Sequence, residues 1–329
     1  MEELRLVTSA PPHLKSPVTV PWIMQQVVFA LLPAAAWGVV FFGPRLALPP
    51  LVLSVLSCVG FEALDCLAFR RPLTVGDWSA VVTGMLLGLS LPPGCPFWIP
   101  IVGGGVAILL GKQMFGGIGQ NIFNPALVGR AVLLISWPKI MATWYARPAF
   151  ALQLAQATTY ATPVDVVTSA TPLGIVKAYG YSAVWDTGPS LLFRLFVGLV
   201  PGCIGEISAF LLLLGFLYLL LRGIVQWDIP LFYALGLSSV ALFARQNPLF
   251  HLFAGGAVMG ACFMATDYTT SPMTSRGRMI FGFGAGALTG IIRWLGGYPE
   301  GVTFGILTMN ALVPLLDRML PRRFGVKKV

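Results

Sequence analysis

Residues 164–174, VDVVTSATPLG, form a polar stretch in a chain that is otherwise mostly apolar. Asp165 stands six residues before Thr171, with Thr168, Ser169 and Ala170 between them. Small neighbours leave a threonine hydroxyl accessible, and an acid nearby offers charge to a partner. A modifying enzyme could bind such an extended segment, using Ala170 for clearance and Asp165 for charge. The chemistry on offer is covalent modification of a hydroxyl. Loops rich in Ser and Thr are common, so the stretch alone marks a modification site and does not say which group is added.

Two other loops interrupt apolar surroundings. GGIGQNIFNPALVGR (116–130) contains Asn121 and Asn124, and ATDYTTSPMTSRGR (265–278) contains Asp267, several hydroxyls and two arginines. Irregular backbone at membrane depth persists only where it is buried in protein or lines a cavity. Asn, Thr and Ser there supply donors and acceptors suited to a planar heterocycle or a sugar-like chain; the plain alternative is a pair of ordinary turns. Acids inside apolar segments are costly and are candidates for function. Glu62 and Asp65 lie three residues apart, on one helix face, and Glu206 follows PGCIG. They could serve cation or proton passage, or equally pair with arginines of neighbouring subunits. Asp317 reads as interfacial, paired with Arg318 or Arg322, and His13 as a structural or subunit-contact residue. The five cysteines form no CxxC or CxxxC pair and read as small packing residues. No metal site and no catalytic side chain of the chain's own can be read.

The elements that must position these residues follow from composition. Of 329 residues 57% are hydrophobic and 10% charged, whereas soluble domains carry about 25% charged residues. The expected class is therefore an all-α polytopic membrane protein. A spanning helix needs roughly 20 apolar residues. Ten candidates emerge: 21–43, 46–69, 78–92, 97–115, 126–138, 203–222, 229–245, 248–266, 279–296 and 302–320. The segment 190–201 reads as a re-entrant or interfacial entry to the sixth. The net charge of +9 is read as topology and not as a nucleic-acid surface. With both termini inside, fourteen basic residues fall on the cytoplasmic side and seven outside, which makes 139–189 an exported loop between membrane halves 1–138 and 190–329. Arg130 and Lys112 are among the fourteen. A weak likeness between 96–131 and 248–279 suggests two inverted five-helix repeats, an arrangement that sets polar loops face to face around a site.

Several stretches carry a family resemblance: PPHLKS near the N-terminus, GGIGQNIFNPAL, ATDYTTSPMTSRGR and GGYPEGVTFGILTMNALVPLLDR. Over nearly its whole length the chain resembles a family of membrane subunits. That family includes the D subunit of the Rnf ion-translocating electron-transport complex and the B subunit of the sodium-pumping NADH:quinone reductase. Length and the short N-terminus favour the Rnf branch. The resemblance implies a flavinylation motif, Asp-x-x-Ser/Thr-Gly-Ala-Thr, whose threonine is esterified by the phosphate of FMN. Asp165, Thr168, Ala170 and Thr171 match it, and Ser169 stands where glycine is usual. It further implies an exported flavin transferase using FAD and a noncovalent riboflavin near Asn121, Asn124 and Asp267. The implied partners are the other Rnf subunits, among them a second covalent-flavin subunit and iron–sulfur subunits. The expected function is a subunit, not an enzyme alone, of a bacterial inner-membrane ferredoxin:NAD oxidoreductase that moves Na+ or H+. The rival expectations are an inverted-repeat solute channel or carrier without a redox role, and a passive scaffold.

Overall fold

The computed structural model describes residues 18–146, 167–168, 171–181, 190–297 and 300–319. His13, Asp165, Ser169 and Ala170 lie outside the described residues, and Thr168 is described by its backbone alone. Nearly all regular structure is helical. Helix α1 (Val20–Phe42) starts where the Thr19 hydroxyl accepts from Trp22 N, and it ends at Gly43. Gly43 has φ +88, a value glycine reaches without a Cβ penalty, so α2 (Pro44–Ala68) follows after a single residue. Helix α3 (Ser79–Leu89), α4 (Trp98–Leu109), α5 (Pro125–Ser136) and the short α6 (Pro138–Met141) complete the first half.

Between the halves, β1 (Tyr145–Ala146) pairs antiparallel with β2 (Val167–Thr168), a small departure from the all-α expectation. Helix α7 (Pro172–Tyr179) begins at Thr171, and α8 (Ser190–Val197) precedes an irregular segment. The second half holds α9 (Ala209–Leu221), α10 (Asp228–Phe243), α11 (Pro248–Phe253) and α12 (Ala257–Met259). Helix α12 runs into a π-helical stretch, Gly260–Met264, and α13 (Ser275–Leu295) and α14 (Val302–Met319) follow.

Three described helices are long and apolar enough to cross a membrane: Val20–Phe42, Pro44–Ala68 and Trp98–Phe115, the last counted through the turn after α4. The apolar runs predict two other spans as single helices, and these are interrupted. The helix expected over 203–222 starts only at Ala209. Pro201, Gly202 and Gly205 disfavour helix, and the backbone instead pairs with the end of α3: Gly205 N donates to Leu89 O at 2.8 Å and Ile204 N to Leu91 O at 3.1 Å. The helix expected over 248–266 breaks at Ala254–Gly256, where Gly255 has φ +64. The first break agrees with a non-spanning entry over 190–201.

Helix α2 shows how the faces sort. Leu56 and Leu64 are 61% and 60% exposed, whereas Cys58, Glu62, Asp65 and Cys66 are buried, the i, i+4, i+7, i+8 pattern of one inward face. In the first half α2 packs on α3 and α4, and α4 on α5; in the second α10 packs on α13, and α13 on α14. Helices α1 and α9 pack together and join the halves. Glycines bring α10 and α13 into backbone contact: a Cβ at Gly282 would meet Ile229 O at 2.6 Å, and one at Gly286 would meet Leu237 N at 2.9 Å. Small residues permit this approach between apolar helices, where packing replaces the hydrophobic drive.

Candidate functional site

Thr171 occupies the N-cap of α7, its Oγ1 accepting from Gly174 N at 3.1 Å. The helix it caps rests on the second half. Lys177 Nζ donates to Arg293 O at 2.7 Å, the Tyr181 hydroxyl accepts from Asn247 N at 2.7 Å, and Leu173 packs with Leu191, Leu195, Phe250 and Ala254. Thr171 thereby lines a small cavity of about 20 Å³ together with Pro201, Gly202, Gly255, Glu206 and Glu300.

The two acids at this cavity share one base. Arg130 of α5 donates through Nη1 to Glu206 at 2.7 Å and through Nη2 to Glu300, while Cys203 Sγ lies 3.4 Å from Nη2. The Arg130 and Glu206 side chains are 4% and 2% exposed, and Glu300 is 16% exposed. Arg130 Nε has no hydrogen-bond partner among the described residues. Beside this group Arg293 donates to three carbonyls, Glu300 O at 2.8 Å, Ala254 O at 3.0 Å and His251 O. Burial pushes the Glu300 carboxyl up to about 7, against the pull of Arg130. The donor atoms of Cys203, Glu206 and Glu300 lie within 4.8 Å of one another, and the guanidinium of Arg130 already supplies positive charge to both carboxylates.

A second cavity, of about 80 Å³ and partly open to solvent, lies toward the two polar loops. Asn121, Asn124, Asp267, Lys112, Ser79 and Phe263 are on its wall. Asn124 caps α5 through Oδ1, accepting from Ala126 N at 3.0 Å and Leu127 N at 3.3 Å, while its Nδ2 donates to Met264 O at 3.1 Å. Asn310, with its amide oriented to satisfy both neighbours, accepts from Asn124 N and donates to Thr270 O. Asp267 accepts from Thr269 at 3.0 Å and Thr270 at 3.3 Å. Asn121 donates to Phe123 O at 3.2 Å. The two loops singled out in the sequence thus meet at one cavity.

The acids read as ion-path candidates divide between the sites. Glu62 is fully buried and bound by Lys112 Nζ at 2.7 and 2.8 Å, with Thr74 donating as well. Lys112 also donates to the Ser79 hydroxyl. Asp65 lies 3.9 Å from the half-exposed Arg71, and its buried Oδ2 has no hydrogen-bond partner among the described residues. Glu206 pairs with Arg130. Each acid therefore meets a base of this same chain, where sequence reading left pairing with a neighbouring subunit open. Asp317 accepts from Met273 N at 3.0 Å and not, among the bonds seen, from Arg318. Lys112 and Arg130, counted as cytoplasmic, are buried in ion pairs, and Arg293, counted as outside, is buried too. Without these three the count is twelve inside to six outside, the same bias. Sequence reading missed Arg130, Arg293, Lys112 and Glu300. The rule that makes an acid in an apolar segment a candidate applies equally to bases, and it would have flagged Arg130 and Arg293.

Residues 7–325 match the family model described as the NQR2, RnfD, RnfE family. The chain is 46% identical over 334 residues to the D subunit of the Na(+)-translocating ferredoxin:NAD(+) oxidoreductase complex of Acetobacterium woodii, covering 100% of this chain and 98% of that one. It is 43% identical over 333 residues to the D subunit of the proton-translocating ferredoxin:NAD(+) oxidoreductase complex of Clostridium ljungdahlii, covering 97% and 96%. To the D subunit of the ion-translocating oxidoreductase complex of Stutzerimonas stutzeri it is 42% identical over 328 residues, covering 92% and 91%.

Proposed function

The chain belongs to the NQR2, RnfD, RnfE family, and from that premise we propose that it is the D subunit of an Rnf-type ion-translocating ferredoxin:NAD oxidoreductase, carrying FMN esterified to Thr171. Full-length similarity to relatives bearing that subunit name supports the complex. The observation that carries the flavin is the setting of Thr171. Its hydroxyl stands at the start of an eight-residue helix and faces a cavity. A helix N-terminus favours phosphate through its free N–H groups and its dipole. Gly174 N, which now donates to Oγ1, is placed to donate to an ester phosphate.

A flavin bound there supplies one- and two-electron transfer; the chain's residues hold and orient it. Lys177 and Tyr181 fix α7 against α13 and the start of α11, which sets the distance of Thr171 from the membrane part. Asn121, Asn124 and Asp267 are the residues we assign to a riboflavin in the second cavity, whose wall they share. Among the ion-path candidates Glu62, Asp65 and Glu206, Asp65 has the least compensated charge, so its neutralisation is the one expected to lower the ion gradient built per electron. The halves are read as inverted repeats in the bacterial inner membrane, with both termini inside and the Thr171 loop outside. Partners are the other Rnf subunits, flavin- and iron–sulfur-bearing ones included, and a flavin transferase.

The test is flavin fluorescence of the denatured chain on a gel, after expression with the transferase. Wild type should fluoresce and Thr171→Ala should not, while both reach the membrane in equal amount. Persistent fluorescence in the variant would move the acceptor elsewhere. In intact cells an impermeant thiol reagent should label Phe150→Cys and spare Gly325→Cys; the reverse pattern would deny an exported transferase its substrate.

A further inference from the structure

The cavity beside Thr171 holds more charge than a phosphate ester needs. Two carboxylates converge on one guanidinium, and Glu300 is the more accessible of the two. We propose that Glu300, held by Arg130 beside Glu206, is a proton-binding site whose occupancy follows the charge of the group carried on Thr171. This rests on the reading of Thr171 as the flavin's attachment point.

The geometry sets the terms. Glu300 lies in the short connection between α13 and α14, and it lines the same cavity as Thr171. The charged and titratable groups facing it are Arg130 from α5, Glu206 and Cys203 from the segment before α9, and Arg293 from α13. With both acids ionised the two arginines balance them. Arg130 Nε, buried and unpartnered, leaves the guanidinium short of acceptors even with two carboxylates attached. A negative charge arriving in the adjacent cavity has no further base to meet among these groups, so the carboxylate nearest to it becomes more basic. Glu206 is fully enclosed, and Gly256 lies so close that a Cβ there would strike its carboxylate. Glu300, on the cavity edge, is the acid that water can reach.

The step balances as follows. A reduced iron–sulfur or flavin donor loses one electron to the flavin, and the Glu300 carboxylate takes one proton from water to become a carboxylic acid. The charge inside the site is unchanged. Coupling is reciprocal: a protonated Glu300 makes the flavin easier to reduce. The sign of the pH dependence follows. Well below its value of about 7 Glu300 is already protonated and adds nothing to the pH dependence of the potential, which there is that of the flavin ring. Above that value Glu300 must take up a proton on reduction, which adds to the fall of the potential with rising pH that the ring shows on its own.

The experiment is a redox titration of the full chain in detergent at pH 5.5 to 8.5, in wild type, Glu300→Gln and Glu300→Asp. The gel fluorescence of each chain is checked first. Wild type should take up more protons per electron above pH 7 than the flavin ring binds on its own reduction, Glu300→Asp should keep that excess, and Glu300→Gln should lose it and retain only the pH dependence of the ring. A reduced-minus-oxidised infrared spectrum of the wild type alone should show a protonated-carboxyl band that moves on glutamate labelling with carbon-13. A fluorescent Glu300→Gln chain with the wild-type pH dependence, or a wild-type spectrum without that band, overturns the proton site and leaves the attachment standing. A wild-type chain that bears no flavin overturns both.

Discussion

Arg130 binds two carboxylates on one planar fork, and its removal would strand Glu206 in a site where that side chain is 2% exposed. Breaking a buried pair on one side costs about 3–5 kcal/mol, because the remaining charge is uncompensated. We expect Arg130→Gln to lower the melting temperature of the detergent-purified chain far more than Arg222→Gln, which removes an exposed arginine lying over Tyr218. Equal melting temperatures would show that the pair is not a structural tie. Arg130→Lys should fall between them, since an ammonium cannot reproduce a fork shared by two acids. At this scale the sequence was partly legible. Thr171 and Glu206 stand out by type and setting, and the structure brings them to one cavity. Glu300 does not stand out, because PEG in a glycine-rich connection is unremarkable until a base 170 positions away is folded onto it. Arg130 was legible in kind but was spent on the topology count.

Elements were legible where an apolar run is also a continuous helix, as for α1 and α2. They were not legible where backbone donors find distant partners. Residues 203–208 open the span expected over 203–222, yet the N–H groups of Ile204 and Gly205 reach carbonyls of Leu91 and Leu89, and no local pattern announces such a bond. The contact of α10 with α13 was invisible for a related reason: glycine spacing permits a close crossing without naming the partner helix. It gives a clear test. A Cβ at Gly286 would meet the Tyr233 carbonyl carbon at 2.8 Å and Leu237 N at 2.9 Å, both backbone, whereas one at Gly60 would meet nothing within 4 Å. Gly286→Ala should destabilise by about 1–3 kcal/mol as an overpacked contact. Gly60→Ala, inside α2, should be neutral or stabilise by up to about 1 kcal/mol through helix propensity. Thermal unfolding of the two variants side by side decides it, and a harmless Gly286→Ala would mean that the two helices can part.

For the molecule as a whole, composition was enough for the class, and the family membership agrees with a multi-pass membrane chain. The ion is a different matter. Relatives at 46% and 43% identity bear names that specify sodium and protons respectively, so full-length similarity at this level goes with either ion. The acids do not distinguish them by type, because a carboxylate serves either ion.

The seating of α7 bears on where the chain could be divided. Lys177, Tyr181 and Leu173 bind it to α13, α11 and their neighbours, so Thr171 travels with the C-terminal half and is tied to the first half through the two-residue β1–β2 pairing and the buried Arg130 pairs. A gene split near codon 155 would then yield two fragments that reassemble in the membrane through α1 and α9, the larger bearing the fluorescence. Splitting instead near codon 185 would leave α7 on the first fragment, so its label would depend on the Lys177, Tyr181 and Leu173 contacts re-forming when the fragments associate.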